Sequence, residues 1–280
     1  MHPSSCNPGP RGGAKGTSTG FVGALLAGIA LSLAGPHVPA QAAVPAKAAV
    51  SVIRAFTTSS KALPDDEIVR LARLAEEARG TKKVGKVLRE QNLPNDVLED
   101  AYLRIAVQQQ HVSRSEAEGM FVRLQGTPGF RETLRKVVGN SDVKTAGHLN
   151  ELRIADKAAQ HGFAVKGIGE RFDDGVKAAD TDIDVLLEKR GRLIAIEAKD
   201  YAPTTPIPMD GFRADMVSLT KYAESQSPRP VLNVFSVTSQ PADQSAWRML
   251  QLETERRGIQ LILGTPEGQV EQIKQLIRIL

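Results

Sequence analysis

Glu197 and Lys199 stand at the end of an apolar segment, where charged side chains are least expected. Residues 193–196 read LIAI, and Glu197 and Lys199 follow with only Ala198 between them. In a β-strand successive side chains point to opposite faces, so Glu197 and Lys199 are predicted to point the same way. Because a buried charge without a partner is costly, we expect both side chains to face a cleft.

Asp184 is a further acidic residue that could reach the same cleft. It precedes the apolar residues 185–187, and a short polar segment containing Gly191 leads from there to the segment that ends at Glu197. Two apolar runs joined in this way are typical of a β-hairpin, which would bring Asp184 close to Glu197. Asp182 is a rival, but the spacing to Glu197 and the apolar run directly after Asp184 favour Asp184.

Glu151 lies on a helix that is predicted from about residue 142 to residue 160 and that Gly162 would end. The residues three, four and seven positions after Glu151 are Ile154, Ala155 and Ala158. A glutamate beside such an apolar stripe can face the core, whereas most helix glutamates are solvated. The sequence leaves both possibilities open.

The pattern resembles the PD-(D/E)xK nuclease superfamily, which includes restriction enzymes and archaeal Holliday-junction resolvases. In that family an Asp opens one strand, a hairpin turn follows, and a hydrophobic-E-x-K segment closes the next strand. Residues 184–199 read DVLLEKRGRLIAIEAK and match it, with Thr-Asp-Ile where a Pro-Asp is usual. The family commonly has a Glu on the preceding helix and a Gly at that helix's end, as at Glu151 and Gly162.

This resemblance implies a Mg²⁺-dependent or Mn²⁺-dependent nuclease that hydrolyses phosphodiester bonds, with DNA ahead of RNA as the expected substrate. Asp184, Glu197 and Lys199 would be the catalytic residues. The metal ligands would be Glu151, Asp184, Glu197 and the carbonyl group of Ala198. Two carboxylates about 4 Å apart repel each other by about 4 kcal/mol at an effective dielectric near 20, so a divalent cation between them is expected. Such an ion would polarise the phosphate and activate a water molecule.

Each of these residues also has a purely structural interpretation. Glu197 and Lys199 could form an ion pair at the end of a strand, and Asp184 could cap the hairpin. The alternative function is therefore a catalytically inactive restriction-endonuclease-like fold that acts as a nucleic-acid-binding or protein-interaction module.

The elements around the motif predict an α/β fold, a restriction-endonuclease-like mixed sheet flanked by helices and preceded by a small all-α region. After residue 140 the expected order is α-β-β-β-α-β-α-β-α, with a hairpin between the second and third strands and helix crossovers before the last two. Strands are predicted over residues 163–168, 183–187, 193–198, 231–238 and 259–263. The predicted organisation is a leader over 1–42, a linker over 43–63, a helical accessory region over 64–140 and a nuclease-like domain over 141–280.

The net charge of the chain carries no information about nucleic-acid binding. The sequence has a pI of about 9.2, yet residues 1–64 hold five basic side chains and no acidic one. The other residues therefore carry 31 basic and 32 acidic side chains, so any basic surface must come from local clustering. The single cysteine, Cys6, lies in the leader, which excludes disulfides and thiolate metal sites from a processed chain.

Residues 21–35, FVGALLAGIALSLAG, form an apolar run of signal-peptide length, and Ala40-Gln41-Ala42 follows it as a cleavage pattern. This favours a periplasmic or secreted protein with no stable membrane span after processing. The acid-free stretch that extends to residues 53–60, IRAFTTSS, resembles an organellar transit peptide, so a mitochondrial location is the alternative. An uncleaved membrane anchor is the third possibility.

Overall fold

A five-stranded mixed sheet lies at the centre of the computed structural model, which describes residues 54–78, 88, 91–139, 142–172 and 182–279. The strands are β1 (Ala164–Arg171), β2 (Asp182–Lys189), β3 (Arg192–Lys199), β4 (Val231–Val237) and β5 (Gln260–Leu263). They lie side by side in chain order, antiparallel from β1 to β3 and parallel from β3 to β5. The predicted mixed α/β architecture is confirmed.

The described residues also form eight helices. Five precede the sheet: α1 (Asp65–Glu77), α2 (Asn95–Gln108), α3 (Arg114–Leu124), α4 (Phe130–Gly139) and α5 (Asp142–Gln160). The other three are α6 (Met209–Ser225), α7 (Gln244–Arg256) and α8 (Pro266–Ile279). The predicted end of α5 is confirmed, since the helix ends at Gln160 and Gly162, two residues later, adopts a positive φ of 73°.

The predicted hairpin between β2 and β3 is confirmed, and its turn is very short. Lys189 pairs with Arg192, so only Arg190 and Gly191 form the connection. Both turn residues have positive φ, 52° and 78°, the backbone that a two-residue hairpin requires. Helices α6 and α7 then form the crossovers before β4 and β5, as predicted.

Helices cover both faces of the sheet. On one face α5 packs on β1, β2 and β3, and α8 packs on α5 and β5. The other face is covered by α6, which contacts β2, β3 and β4, and by α7, which contacts β5. Each face has its own hydrophobic core: Val185, Ile194 and Ile196 belong to the first, and Leu186, Ala195 and Phe235 to the second.

The helical region predicted over residues 64–140 shares the first core with the sheet. Buried side chains of α1–α4, such as Leu71, Tyr102 and Phe130, belong to the same cluster as Val185 of β2. Residues 51–280 accordingly form one compact unit. Among the described residues, no helix has the length and apolar character that a membrane crossing needs.

A buried ionic group ties the beginning of the described chain to α2. Arg104 is 1% exposed and pairs with Asp100 at 3.1 Å and with Asp65, and it donates a hydrogen bond to the Leu63 carbonyl at 2.8 Å. Asp100 also accepts a hydrogen bond from the N–H of Phe56. Part of the predicted linker over 43–63 is therefore anchored. The predicted leader over 1–42, with its apolar run, lies outside the described residues.

Candidate active site

The sheet opens between β2 and β3 at the positions where the motif residues lie. Pairing between these two strands ends at Val185 and Ile196. Beyond that point β2 remains paired with β1 as far as Asp182, and β3 remains paired with β4 as far as Lys199. The two strands of the hairpin thus diverge while each stays held by its outer neighbour, and Asp184 and Glu197 lie beside the opening.

Asp184 bridges this opening with its side chain. Its Oδ2 atom accepts a hydrogen bond from the backbone N–H of Ala198 at 2.8 Å, a donor that β2 no longer satisfies through its main chain. Asp184 is half-buried, whereas Asp182 is exposed at the outer end of β2, opposite Arg171. Of the two aspartates that compete in the sequence, the structure brings Asp184 to Ala198.

Glu197 and Lys199 lie on the same side of β3, in agreement with the alternation of the strand. The Nζ atom of Lys199 forms an ion pair with Oε1 of Glu197, whose exposed fraction is only 6%. Lys199 has a second partner in Asp215 of α6, with Nζ and Oδ2 2.8 Å apart. The ammonium group is therefore held between carboxylates from two elements.

Sequence reasoning missed Asp215. The only sequence feature that points to Asp215 is its position on α6, three residues after Phe212 and directly before Met216. Both of these apolar residues are buried against the sheet. An acidic side chain at the edge of such an apolar stripe can reach a neighbouring element, but the sequence does not say which one. The structure supplies that information, since α6 packs on β3 and the Phe212 ring lies 5.8 Å from the Lys199 ammonium.

Glu151 is 6% exposed and faces the interior, so the solvated alternative left open by the sequence is wrong. Its Oε1 atom lies 2.9 Å from Nδ1 of His148, one turn earlier on α5. His148 is a second residue that sequence reasoning did not place at the site. Helix α5 packs on β2 and β3, and the charge of Glu151 helps to raise the pKa of Asp184.

The carboxyl groups of the cluster have too few neighbouring cations to favour their ionised forms. Burial raises the pKa of Asp184 well above its usual range, and the charges of Glu197 and Glu151 raise it further. Burial also raises the pKa of Glu197 to about 7, with Asp215 adding to the effect and Lys199 opposing it. Burial opposes protonation of Lys199, but the surrounding carboxylates raise the pKa of its ammonium. If all of these carboxyl groups were ionised, the site would hold more negative charge than one lysine neutralises, and the raised pKa values reflect that cost.

These donors suit a hard divalent cation in their chemistry. The carboxylates of Glu151, Asp184 and Glu197 and the carbonyl of Ala198 are oxygen ligands of the type that Mg²⁺ and Mn²⁺ take. In the part of the chain that is described, however, no three His, Cys, Asp or Glu side chains converge as a ready-made metal site. Glu197 contacts Lys199 and Glu151 contacts His148. Metal binding therefore requires each carboxylate to leave its present partner and turn to the metal.

The raised pKa of Glu197 predicts how the stability of the metal-free protein depends on pH. Between the ordinary value of 4.5 and about 7 the folded chain binds more protons than the unfolded chain. The favourable contribution of Glu197 is therefore complete below the first value and is lost as pH rises through the second. Urea unfolding in EDTA should show Glu197→Gln gaining up to about 3 kcal/mol over the wild type between about pH 4.5 and pH 8.5.

Glu188→Gln is the matched control, because the hydrogen bond from Arg229 lowers the pKa of Glu188 on the neighbouring strand. A carboxylate with a lowered pKa stabilises the fold above its unfolded pKa, so this variant should lose stability relative to the wild type as pH rises. The same pH trend in both variants would contradict the assigned environment of Glu197.

Comparison of the chain with protein-family models, with curated proteins and with solved structures found no match.

Proposed function

We propose that the chain is a metal-dependent nuclease of restriction-endonuclease-like fold that hydrolyses phosphodiester bonds, with DNA as its first expected substrate. One observation carries the proposal: the buried Glu197 and the half-buried Asp184 and Asp215 lie around a single lysine where the central hairpin opens. Ionising these carboxyl groups together without a counter-charge is unfavourable, and a cationic ligand would offset that cost.

Glu151, Asp184, Glu197 and the Ala198 carbonyl would hold Mg²⁺ or Mn²⁺. The bound ion would act as a Lewis acid and lower the pKa of a coordinated water molecule. The chain itself orients these ligands: the Ala198 N–H group fixes Asp184, and the pairing of β3 with β4 continues through Glu197 to Lys199. The Ala198 carbonyl belongs to the strand end that this pairing keeps in place.

Lys199 contributes as a cation. The carboxylates around it raise the pKa of its ammonium despite burial, so it remains protonated at neutral pH. A protonated lysine donates hydrogen bonds and offsets charge that builds on a phosphate, and it does not take a proton from water. We therefore assign to Lys199 the orientation of the attacking water and the stabilisation of the transition state.

A nucleic-acid substrate also needs cations along its backbone. Several basic side chains gather at the turn of the hairpin, at the end of β2 away from Asp184. There burial lowers the pKa of Lys189, and the nearby charges of Lys274, Arg190 and Arg278 lower it further. This local cluster, rather than the net charge of the chain, is the basic surface on which a polyanionic partner would lie, and it is at the opposite end of β2 from the proposed site.

The proposal predicts that the purified protein cleaves a fluorescent DNA duplex in Mg²⁺ or Mn²⁺ and stops in EDTA. Asp184→Asn, Glu197→Gln and Lys199→Ala should each lower kcat by about 100-fold or more, since each removes a ligand or a charge needed only in the reaction. Cleavage assays measure kcat, and circular dichroism of every variant checks that it is folded.

Asp182→Asn is the matched control and should keep activity close to the wild type, because Asp182 is exposed at the outer end of β2. Cleavage that continues undiminished after thorough chelation would contradict the metal mechanism. An active Asp184→Asn together with an inactive Asp182→Asn would reverse the assignment of the aspartate. A protein that binds the duplex but never cuts it would support the alternative of a binding module.

We also propose that the chain is exported, on the basis of residues 21–42 alone. In a bacterial host the full chain should reach the periplasm with a new N-terminus near Ala43, as measured by intact mass after fractionation. A cytosolic product that retains Met1 would contradict export. A new N-terminus near residues 56–60 in a eukaryotic host would favour the mitochondrial alternative.

A further inference from the structure

Lys199 makes two ion pairs, but in the proposed function one of its partners, Glu197, binds a divalent cation instead. The ammonium contacts Glu197 of its own strand and Asp215 of α6. If Glu197 becomes a ligand of a divalent cation, its oxygen must leave Lys199. Among the ion pairs in the described part of the chain, the contact with Asp215 then remains to hold the lysine in place.

Asp215 is well placed to remain where it is. It follows Phe212 by three residues on α6, so the two side chains lie on neighbouring turns. Phe212 is 2% exposed and packs against the rings of Tyr201 and Phe235, with ring centroids 5.4 and 5.0 Å away. Because this packing fixes α6 on the sheet, the position of Asp215 does not depend on Glu197.

We propose that Asp215 is a positioning residue that holds the Lys199 ammonium in the site while Glu197 turns to a bound divalent cation. This inference rests on the proposed nuclease function. Asp215 is assigned no contact with substrate and acts through Lys199.

Loss of Asp215 would have two effects. Lys199 would stay paired with Glu197 and would compete with the cation for that carboxylate, so cation binding would weaken. Once the cation was bound, the ammonium would sit on a flexible four-carbon side chain without its anchor, and fewer complexes would present it correctly. A substitution of Asp215 should therefore lower kcat and weaken cation binding, while substrate binding changes little.

The experiment compares Asp215→Asn, Asp215→Glu and Asp182→Asn in the full chain. Asp182 lies close enough for its charge to raise the pKa of Glu197, so Asp182→Asn removes an equal charge near the site without removing a partner of Lys199. We expect Asp215→Asn to lower kcat at least about 10-fold and to change KM for duplex DNA less than about 2-fold. Asp215→Glu should recover most of the loss, and Asp182→Asn should match the wild-type kcat.

Two further measurements separate positioning from a general loss of charge or fold. In Mn²⁺ calorimetry the dissociation constant should rise more in Asp215→Asn than in Asp182→Asn. The double variant Lys199→Ala/Asp215→Asn should cleave no more slowly than Lys199→Ala alone, because two residues that act as one unit are not additive. Additive losses in the double variant would overturn the inference.

The outcomes distinguish this inference from the proposed function. If the wild type cleaves DNA and Asp215→Asn behaves like Asp182→Asn, the inference is wrong and the nuclease proposal stands. If the wild type cleaves nothing with either metal, the nuclease proposal is wrong. The Mn²⁺ affinities of the variants then test the role of Asp215. Equal Mn²⁺ affinities in the two variants would then overturn the inference, and a larger loss in Asp215→Asn would support it.

Discussion

The hydrogen bond from the Ala198 N–H group to Asp184 closes the point at which β2 and β3 separate, and the site depends on it. Where two strands diverge, backbone donors on the inner edge lose their partners and must find others. Asp184 satisfies one of them with a carboxylate rather than with a neutral side chain. The Asp184 carboxyl group therefore lies inside the opening, where burial and the charges of Glu197 and Glu151 oppose its ionisation.

The other features of the site are responses to this concentration of charge. Lys199 pairs with Glu197 and Asp215, and His148 contacts Glu151. Burial together with mutual repulsion shifts the pKa of Asp184 and Glu197 upward. In the structure Glu197 is paired with Lys199. A divalent cation would relieve the repulsion and release the lysine for the reaction.

Local patterns in the sequence predicted the parts of this account that depend on local structure. The hairpin, the shared side of Glu197 and Lys199, and the end of α5 near Gly162 follow from strand alternation and turn residues, and the structure confirms them. Asp215 and His148 were not predicted. The contact of Asp215 with Lys199 spans sixteen positions of the chain and exists only because α6 packs on β3. The shared core of the helical region and the sheet was likewise not predicted, because an apolar stripe on a helix does not identify the element that it packs against.

The central claim is that these carboxylates form a binding site for a divalent cation. Its most direct test is anomalous scattering from crystals of the protein soaked in Mn²⁺. We predict one Mn²⁺ peak between the carboxylates of Asp184 and Glu197, with Glu197 turned away from Lys199 and with Lys199 still on Asp215. Crystals that show no peak at this position at millimolar Mn²⁺, with Glu197 still paired to Lys199, would contradict the account.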